Sequence, residues 1–230
     1  KERPGFPGYV FGLTSEQVNA EQQPLADLPG TDDDGKAAFK VELDKLPTTE
    51  RLLDARITVR LAESGGRAVE RKITLPVTPG TDMVGVKPLF AGKALGEKDN
   101  ATFDVVFVDR DGKKIEKKGL RYELLKIETR YQWYRQSSYW NYEPVKSTSR
   151  IAEGKIDATS TDAARLSLPV SWGRYRLEIS TSDQTAPLTA FSFDAGFYAE
   201  AGSDTPDTLE IALDKSEYKA GDTINVAVTA

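Results

Sequence analysis

Apolar residues recur at every second position along much of this chain, with polar or charged residues between them. A period of two is the pattern of β-strands with one buried and one solvated face. It predicts a short strand at Gly8–Leu13 (GYVFGL) and another carrying Phe39, Val41 and Leu43 on one face. A third strand sets Ala55, Ile57, Val59 and Leu61 against Arg56, Thr58 and Arg60, and a fourth carries Val69, Ile73, Leu75 and Val77. Pro76 gives that fourth strand the character of an edge or a strand end, because proline cannot donate to a ladder. MVGVKPLF begins a further run, and Phe103, Val105 and Phe107 alternate in the next. LRYELLKIETRYQWY reads as one long strand. The alternation returns at Leu166, Leu168, Val170 and Trp172, at Tyr175, Leu177 and Ile179, and at Phe191, Phe193, Ala195 and Phe197. It ends with Leu209, Ile211 and Leu213, then Ile224, Val226 and Val228.

The punctuation agrees with this reading. TDDDGK and RDGKK are turn sequences, the second read as a hairpin turn. Pro79-Gly80 and SDTPD (203–207) mark breaks between units, and Ser182–Pro187 reads as a loop. Thr14-Ser15-Glu16 reads as the start of a loop or short helix running to Leu28, and nowhere does a helical period persist. The predicted fold class is therefore all-β: antiparallel Ig-like sandwiches in series. Three units follow, at 1–82, 83–198 and 199–230. The first and last lack a full set of strands, so the chain reads as a fragment of a larger protein.

Composition narrows the chemistry. Hydrophobic residues make up 39% and charged residues 29%, a globular balance. The chain has no cysteine and no histidine. Cys/His zinc sites and Ser-His or Cys-His nucleophiles are excluded, and no spacing points to a carboxylate pair. No enzyme activity and no cofactor are expected. Asp32, Asp33 and Asp34 are consecutive, without the alternating spacing of a calcium loop, and read as a solvated turn. The KKIEKK cluster likewise reads as a solvated turn. A net charge of −5 argues against a nucleic-acid partner. No apolar run is long enough to span a membrane, so no direct membrane contact is expected.

One stretch departs from the pattern. Arg130 to Asp162 opens with Trp133, Tyr134, Tyr139, Trp140 and Tyr142, then turns small and polar from Pro144. Strands lie on both sides of it, so it belongs to the second unit and does not link two. Long inserts of weak pattern inside a compact domain are commonly functional or disordered. The aromatics admit three readings: a hairpin turning near Gln136 to Ser138, a sugar-stacking platform, or a docking surface for a neighbouring domain.

Several segments together resemble the bacterial alpha-2-macroglobulin family. They are GYVFGL with TDDDGKAAFKVEL, YQWYRQSSYWNYE, GRYRLEIS, FDAGFYA and DTPDTLEIALDKSEYKAGDTINVAV. The last is the most specific, and the order of all of them is more telling than any one. The resemblance implies macroglobulin-like sandwich domains and a protease trap. An attacking endopeptidase cuts an accessible bait segment, and the molecule rearranges around it. It also implies a periplasmic protein, anchored to the inner membrane as a lipoprotein, that serves in defence. The family's thioester motif contains cysteine and so lies outside this chain.

On that resemblance the bait is placed at about 135–162. Exposed polar loops are preferred sites of nicking, and this one offers targets to several protease classes. Arg135, Lys146, Arg150 and Lys155 suit trypsin-like enzymes. Tyr139, Trp140 and Tyr142 suit chymotrypsin-like ones, and Val145, Ile151, Ala152 and Ala158 elastase-like ones. Glu143 and Glu153 suit acid-specific enzymes. The competing readings are a plain flexible loop, a structural or adhesive array of modules, and a carbohydrate-binding module.

Overall fold

The computed structural model describes residues 3–20, 22–25, 28–43, 46–47, 49–62, 66, 68–77, 81–90, 95–96, 98–136, 139–183, 186–196, 210–213, 218–224 and 226–229. Twelve strands and no helix occur among them, and every ladder is antiparallel. The chain divides into two compact units, one of residues 1–14 with 50–230 and the other of residues 15–49.

The larger unit holds a sandwich. One sheet has the order β1-β4-β5-β8, from Val10–Phe11, Met83–Pro88, Asn100–Val108 and Ala164–Pro169. The other has the order β10-β9-β6-β7, from Thr189–Ala195, Gly173–Ser180, Lys117–Gln136 and Tyr139–Ala158. Their facing sides form one core, including Val84, Phe103, Val105, Leu120, Leu124, Leu166, Leu177 and Ile179. Phe103 sits at its centre, with rings of Phe90, Phe191 and Phe193 at 5.3–6.0 Å.

Residues 83–86 of β4 and 105–108 of β5 are buried on both faces. Val106, Val108 and Met83 point away from the main core into a second cluster with Phe6, Phe11 and Leu52. Tyr9 packs on that cluster, and burial raises its phenol pKa above the ordinary value, with Asp104 adding to the shift and Arg165 opposing it. Val10 and Phe11 pair with Val86 and Gly85, and Leu13 bridges Ala190 of the other sheet. The buried Thr189 hydroxyl joins these edges: it accepts from Gly12 N at 3.1 Å and donates to Val84 O at 2.6 Å. Residues 10–13 thus pair with a strand of the 83–198 region, across the division expected at 82–83.

Both turn sequences follow the pattern Asp-x-Asp-Gly-Lys and share one geometry. Asp32 Oδ1 accepts from Asp34 N and Lys36 N at 3.1 and 2.7 Å; Asp109 Oδ1 accepts from Asp111 N and Lys113 N at 3.0 and 2.8 Å. Gly35 and Gly112 take φ of 74° and 84°, where a β-carbon is disfavoured. The second turn closes the short hairpin expected, with Asp109 N donating to Lys113 O at 2.9 Å and Ile115 N to Phe107 O at 3.0 Å, but its returning arm is brief. Beyond the bridge Val108↔Lys114, the chain crosses from β5 in one sheet to β6 in the other.

Other expectations need correction. Residues 37–43 are not a strand: among the described residues of their unit no strand pairs with them, and Phe39 and Leu43 are exposed. Without a partner ladder or a buried face, alternation alone does not hold a strand. No helix forms in the described part of 14–28. Trp172 does not share the inward face of Leu166 and Leu168, because β8 ends at Pro169. Its indole instead lies where a β-carbon at Gly196 would stand 2.5 Å away.

Two further hairpins match the pattern, Leu53–Leu61 (β2) with Val69–Val77 (β3), and Glu210–Leu213 (β11) with Val226–Thr229 (β12). The features expected at Pro79-Gly80, Phe197, 203–207 and Leu209 lie outside the described residues, as do parts of the loop at 182–187.

Phe103→Ala should cost about 3–5 kcal/mol of stability, because the cavity lies among rings that cannot close over it. Urea unfolding of the two proteins measures it.

Candidate functional site

The stretch that broke the sequence pattern is not a loop. From Arg130 to Ala158 it belongs to a long hairpin. β6 and β7 pair from Lys117↔Ala158 to Gln136↔Tyr139. The structure therefore overturns the loop reading over 144–158, leaves 159–162 outside any strand, and supports a hairpin for the aromatics, with β6 ending at Gln136 and β7 starting at Tyr139. Residues 137 and 138 lie outside the described residues.

The hairpin has two parts. At its base, β6 is flanked on both sides, by β7 and by β9, from Arg121↔Ser180 to Ile127↔Arg174. Leu120, Tyr122 and Leu124 face inward, opposite Ile156, Gly154 and Ala152. Gly154 leaves room for Tyr122: a β-carbon there would lie 2.6 Å from the phenol oxygen. Ala158 is fully buried in the core. So Ala152, Gly154, Ile156 and Ala158 make an alternating inward face, small except at Ile156, between Glu153, Lys155 and Asp157. That alternation was the signal in the sequence, and the small size of three of its four members hid it.

Two irregularities bend the base. Between Leu124 and Leu125 the register skips Ile151, which bulges and is exposed. Between Lys117 and Leu120 the extra residues lie on β6. There Gly119 takes φ of 69°, and its N donates to Asp157 Oδ1 at 2.7 Å.

Past Ile127 the arrangement changes. β6 loses β9 and, among the described residues, has only β7 beside it, from Glu128↔Ser147 to Gln136↔Tyr139. At 3.4 Å per residue this two-stranded ribbon runs about 30 Å. Trp133, Tyr134, Val145, Trp140 and Tyr139 are all exposed along it, the last two at 66% and 76%. Trp133 and Tyr142 stand directly opposite, with ring centroids 5.5 Å apart and planes inclined at 59°. Arg135 and Trp140 face each other two residues nearer the tip. The inclination means that Trp133 and Tyr142 do not offer one flat platform to a sugar ring.

The candidate residues divide accordingly. Arg135, Tyr139, Trp140, Tyr142, Val145 and Lys146 lie on the ribbon. Arg150 and Ile151 lie at the junction. Ala152, Lys155 and Ala158 lie on the packed base. Arg150 is engaged there: its Nη1 pairs with Glu153 and lies 3.7 Å from Glu123 Oε1, which also holds Arg121 Nη2 at 2.6 Å. Among the described residues no group of acidic side chains has the arrangement of a metal site.

Comparison with known proteins gives this geometry its context. Residues 1–79 match the model of the bacterial alpha-2-macroglobulin MG5 domain, and residues 85–197 match that of bacterial macroglobulin domain 6. The chain belongs to the bacterial alpha-2-macroglobulin family. An alpha-2-macroglobulin of Xylella fastidiosa is 31% identical over 97% of this chain, which covers 14% of that protein. Among solved structures, the native conformation of Escherichia coli alpha-2-macroglobulin aligns at a TM-score of 0.62 and 26% identity, over 98% of this chain and 15% of that one. The Escherichia coli alpha-2-macroglobulin activated by porcine elastase aligns at 0.55 and 25% identity, over 90% and 18%. This chain thus spans about one-seventh of the length of the curated alpha-2-macroglobulin of Xylella fastidiosa. The ribbon lies within the domain 6 match.

The division into base and ribbon predicts opposite responses to charge. Ala158→Asp places an unpaired carboxylate in the core and should cost about 3 kcal/mol or more. Val145→Asp, on the ribbon, should stay within about 0.5 kcal/mol. Thermal unfolding of each against the parent chain measures the contrast.

Proposed function

We propose that this chain is the bait-bearing part of a protease-trapping alpha-2-macroglobulin, and that the ribbon from Glu128 to Ser147 is the segment proteases cut. One observation carries the reading. The ribbon extends past the last β9 rung with no third strand among the described residues, displays basic, aromatic and aliphatic side chains, and has both its legs anchored in the core. A protease needs its substrate extended and free of its own sheet. A two-stranded ribbon is the least stable form of sheet and is the part that can open. The Escherichia coli relative solved in a form activated by elastase supports a response to proteolysis within the family.

In this reading the chain is a substrate and performs no chemistry of its own. A cut in the ribbon severs the connection between β6 and β7 while each leg stays in its sheet. What changes is the constraint that one strand places on the other, and relief of such a constraint can bias an arrangement of domains. The partners are endopeptidases of several classes and the neighbouring domains of the same protein. From family membership alone we infer a periplasmic location, with the whole protein anchored to the inner membrane.

Limited proteolysis tests the reading. Trypsin, chymotrypsin and elastase, used separately at low ratio with cuts mapped by mass spectrometry, should each cut first between Glu128 and Ile151. First cuts within residues 15–49 or at 199–206, with the ribbon intact, would return the protein to the class of structural module arrays. The ion pairs of Arg150 add a finer expectation. Screening weakens pairs at the surface, so trypsin cleavage after Arg150, relative to Arg135, should rise as salt is raised. Glu153→Gln should raise it at low salt.

A further inference from the structure

The bait reading leaves open what sets the rate at which the ribbon is cut. A ladder strand cannot enter a protease cleft while its partner occupies half its backbone groups. Cleavage must follow local opening, and its rate then tracks how often the ribbon opens. The base does not need to open. Its inward side chains Leu120, Leu124 and Ala158 are fully buried, and β9 holds β6 as far as Ile127. The relevant event is separation of the rungs between Glu128↔Ser147 and Gln136↔Tyr139.

Within those rungs the aromatic pair holds a particular place. Trp133↔Tyr142 lies between the tip and the base, with Arg135 and Trp140 on its tip side and Val145 and Lys146 on its base side. A cleft gripping several residues on each side of Arg135 or of Trp140 takes in Trp133 or Tyr142 itself. Fraying that starts at the tip reaches Lys146 only after the pair has parted. Cross-strand aromatic contact is a side-chain attraction of the kind that holds a two-stranded ribbon together.

We propose that the Trp133–Tyr142 pair is the latch of the ribbon: its contact sets the opening frequency, and so the rate at which proteases of different specificity cut. The proposal rests on the bait reading and deepens it. It makes two residues determinants of susceptibility without making either the point of cleavage. It also explains why one structural feature would govern enzymes that recognise unrelated side chains: all of them wait for the same opening.

The test uses the whole chain and trypsin, whose sites at Arg135 and Lys146 lie on the two sides of the pair. Trp133→Ala and Tyr142→Ala are each expected to speed both cuts roughly 2- to 10-fold. The double variant should be no faster than the single ones by more than a small factor, because the two substitutions break one contact. Tyr139→Ala, at the outermost rung on the other face, should leave the Lys146 rate unchanged. A synthetic peptide of residues 128–147 carrying the same substitutions corrects for direct effects on the trypsin cleft. Hydrogen exchange of the ribbon amides should quicken in parallel, while the melting temperature of the sandwich stays constant. If trypsin cuts first in the ribbon but neither substitution alters the rates or the exchange, the latch is overturned and the bait stands. If no first cut falls between 128 and 151, the bait reading itself fails and the latch with it.

Discussion

Strand β6 has a neighbour on each side only as far as Ile127. Everything distinctive about the molecule follows from that limit. Up to Ile127 the strand is the second member of a four-stranded sheet, and its inward side chains meet the opposite sheet across a filled core. Past it the chain continues in the same conformation with, among the described residues, a strand on one side only. One continuous strand therefore passes from the most stable kind of environment a sheet offers to the least. Cooperative unfolding protects the first part, and local fraying governs the second.

The anchoring end must be firm for such a ribbon to work as a separate element. The sandwich achieves this by burying residues 83–86 of β4 and 105–108 of β5 on both faces. The main core lies on one side, and Phe6, Phe11 and Leu52 cover the other. Residues 10–13 bind the edges of the two sheets together through β1, the Leu13 bridge and the hydroxyl of Thr189. The stretch that does this belongs to the MG5 match, whereas the sheets belong to the match for domain 6. The two family modules are thus joined by a strand as well as by chain continuity.

How much of this could be read beforehand varied with the kind of signal. Strands whose inward residues are large declared themselves: Phe103, Val105 and Phe107, or Tyr175, Leu177 and Ile179. The base of β7 did not, because its inward residues are Ala152, Gly154, Ile156 and Ala158. Hydrophobic contrast between Ala or Gly and Glu or Lys is slight, so a true alternation resembled a polar loop. The reverse happened at 37–43, where contrast is strong but no partner strand is present in its unit. The second core was hidden for another reason. Val106 and Val108 fall at the off-positions of a pattern that assigns one wet face to each strand, and only the packing of residues 6–11 makes that face dry.

The sequence by itself determined the fold class, the positions of most strands and the Asp-x-Asp-Gly-Lys turns. These depend on side-chain period and on backbone preferences within a few residues. It also fixed the absence of histidine and cysteine chemistry, and it marked 130–162 as the unusual region. The tertiary structure decided which strands share a sheet, that the chain crosses between sheets beyond the second Asp-Gly turn, and that the unusual region is a paired ribbon. It also decided which of the candidate residues stand clear of the core. Those outcomes depend on contacts between residues far apart in the chain, with β9 meeting β6 and residues 6–11 meeting β4 and β5. A local pattern carries no information about where a neighbouring strand stops.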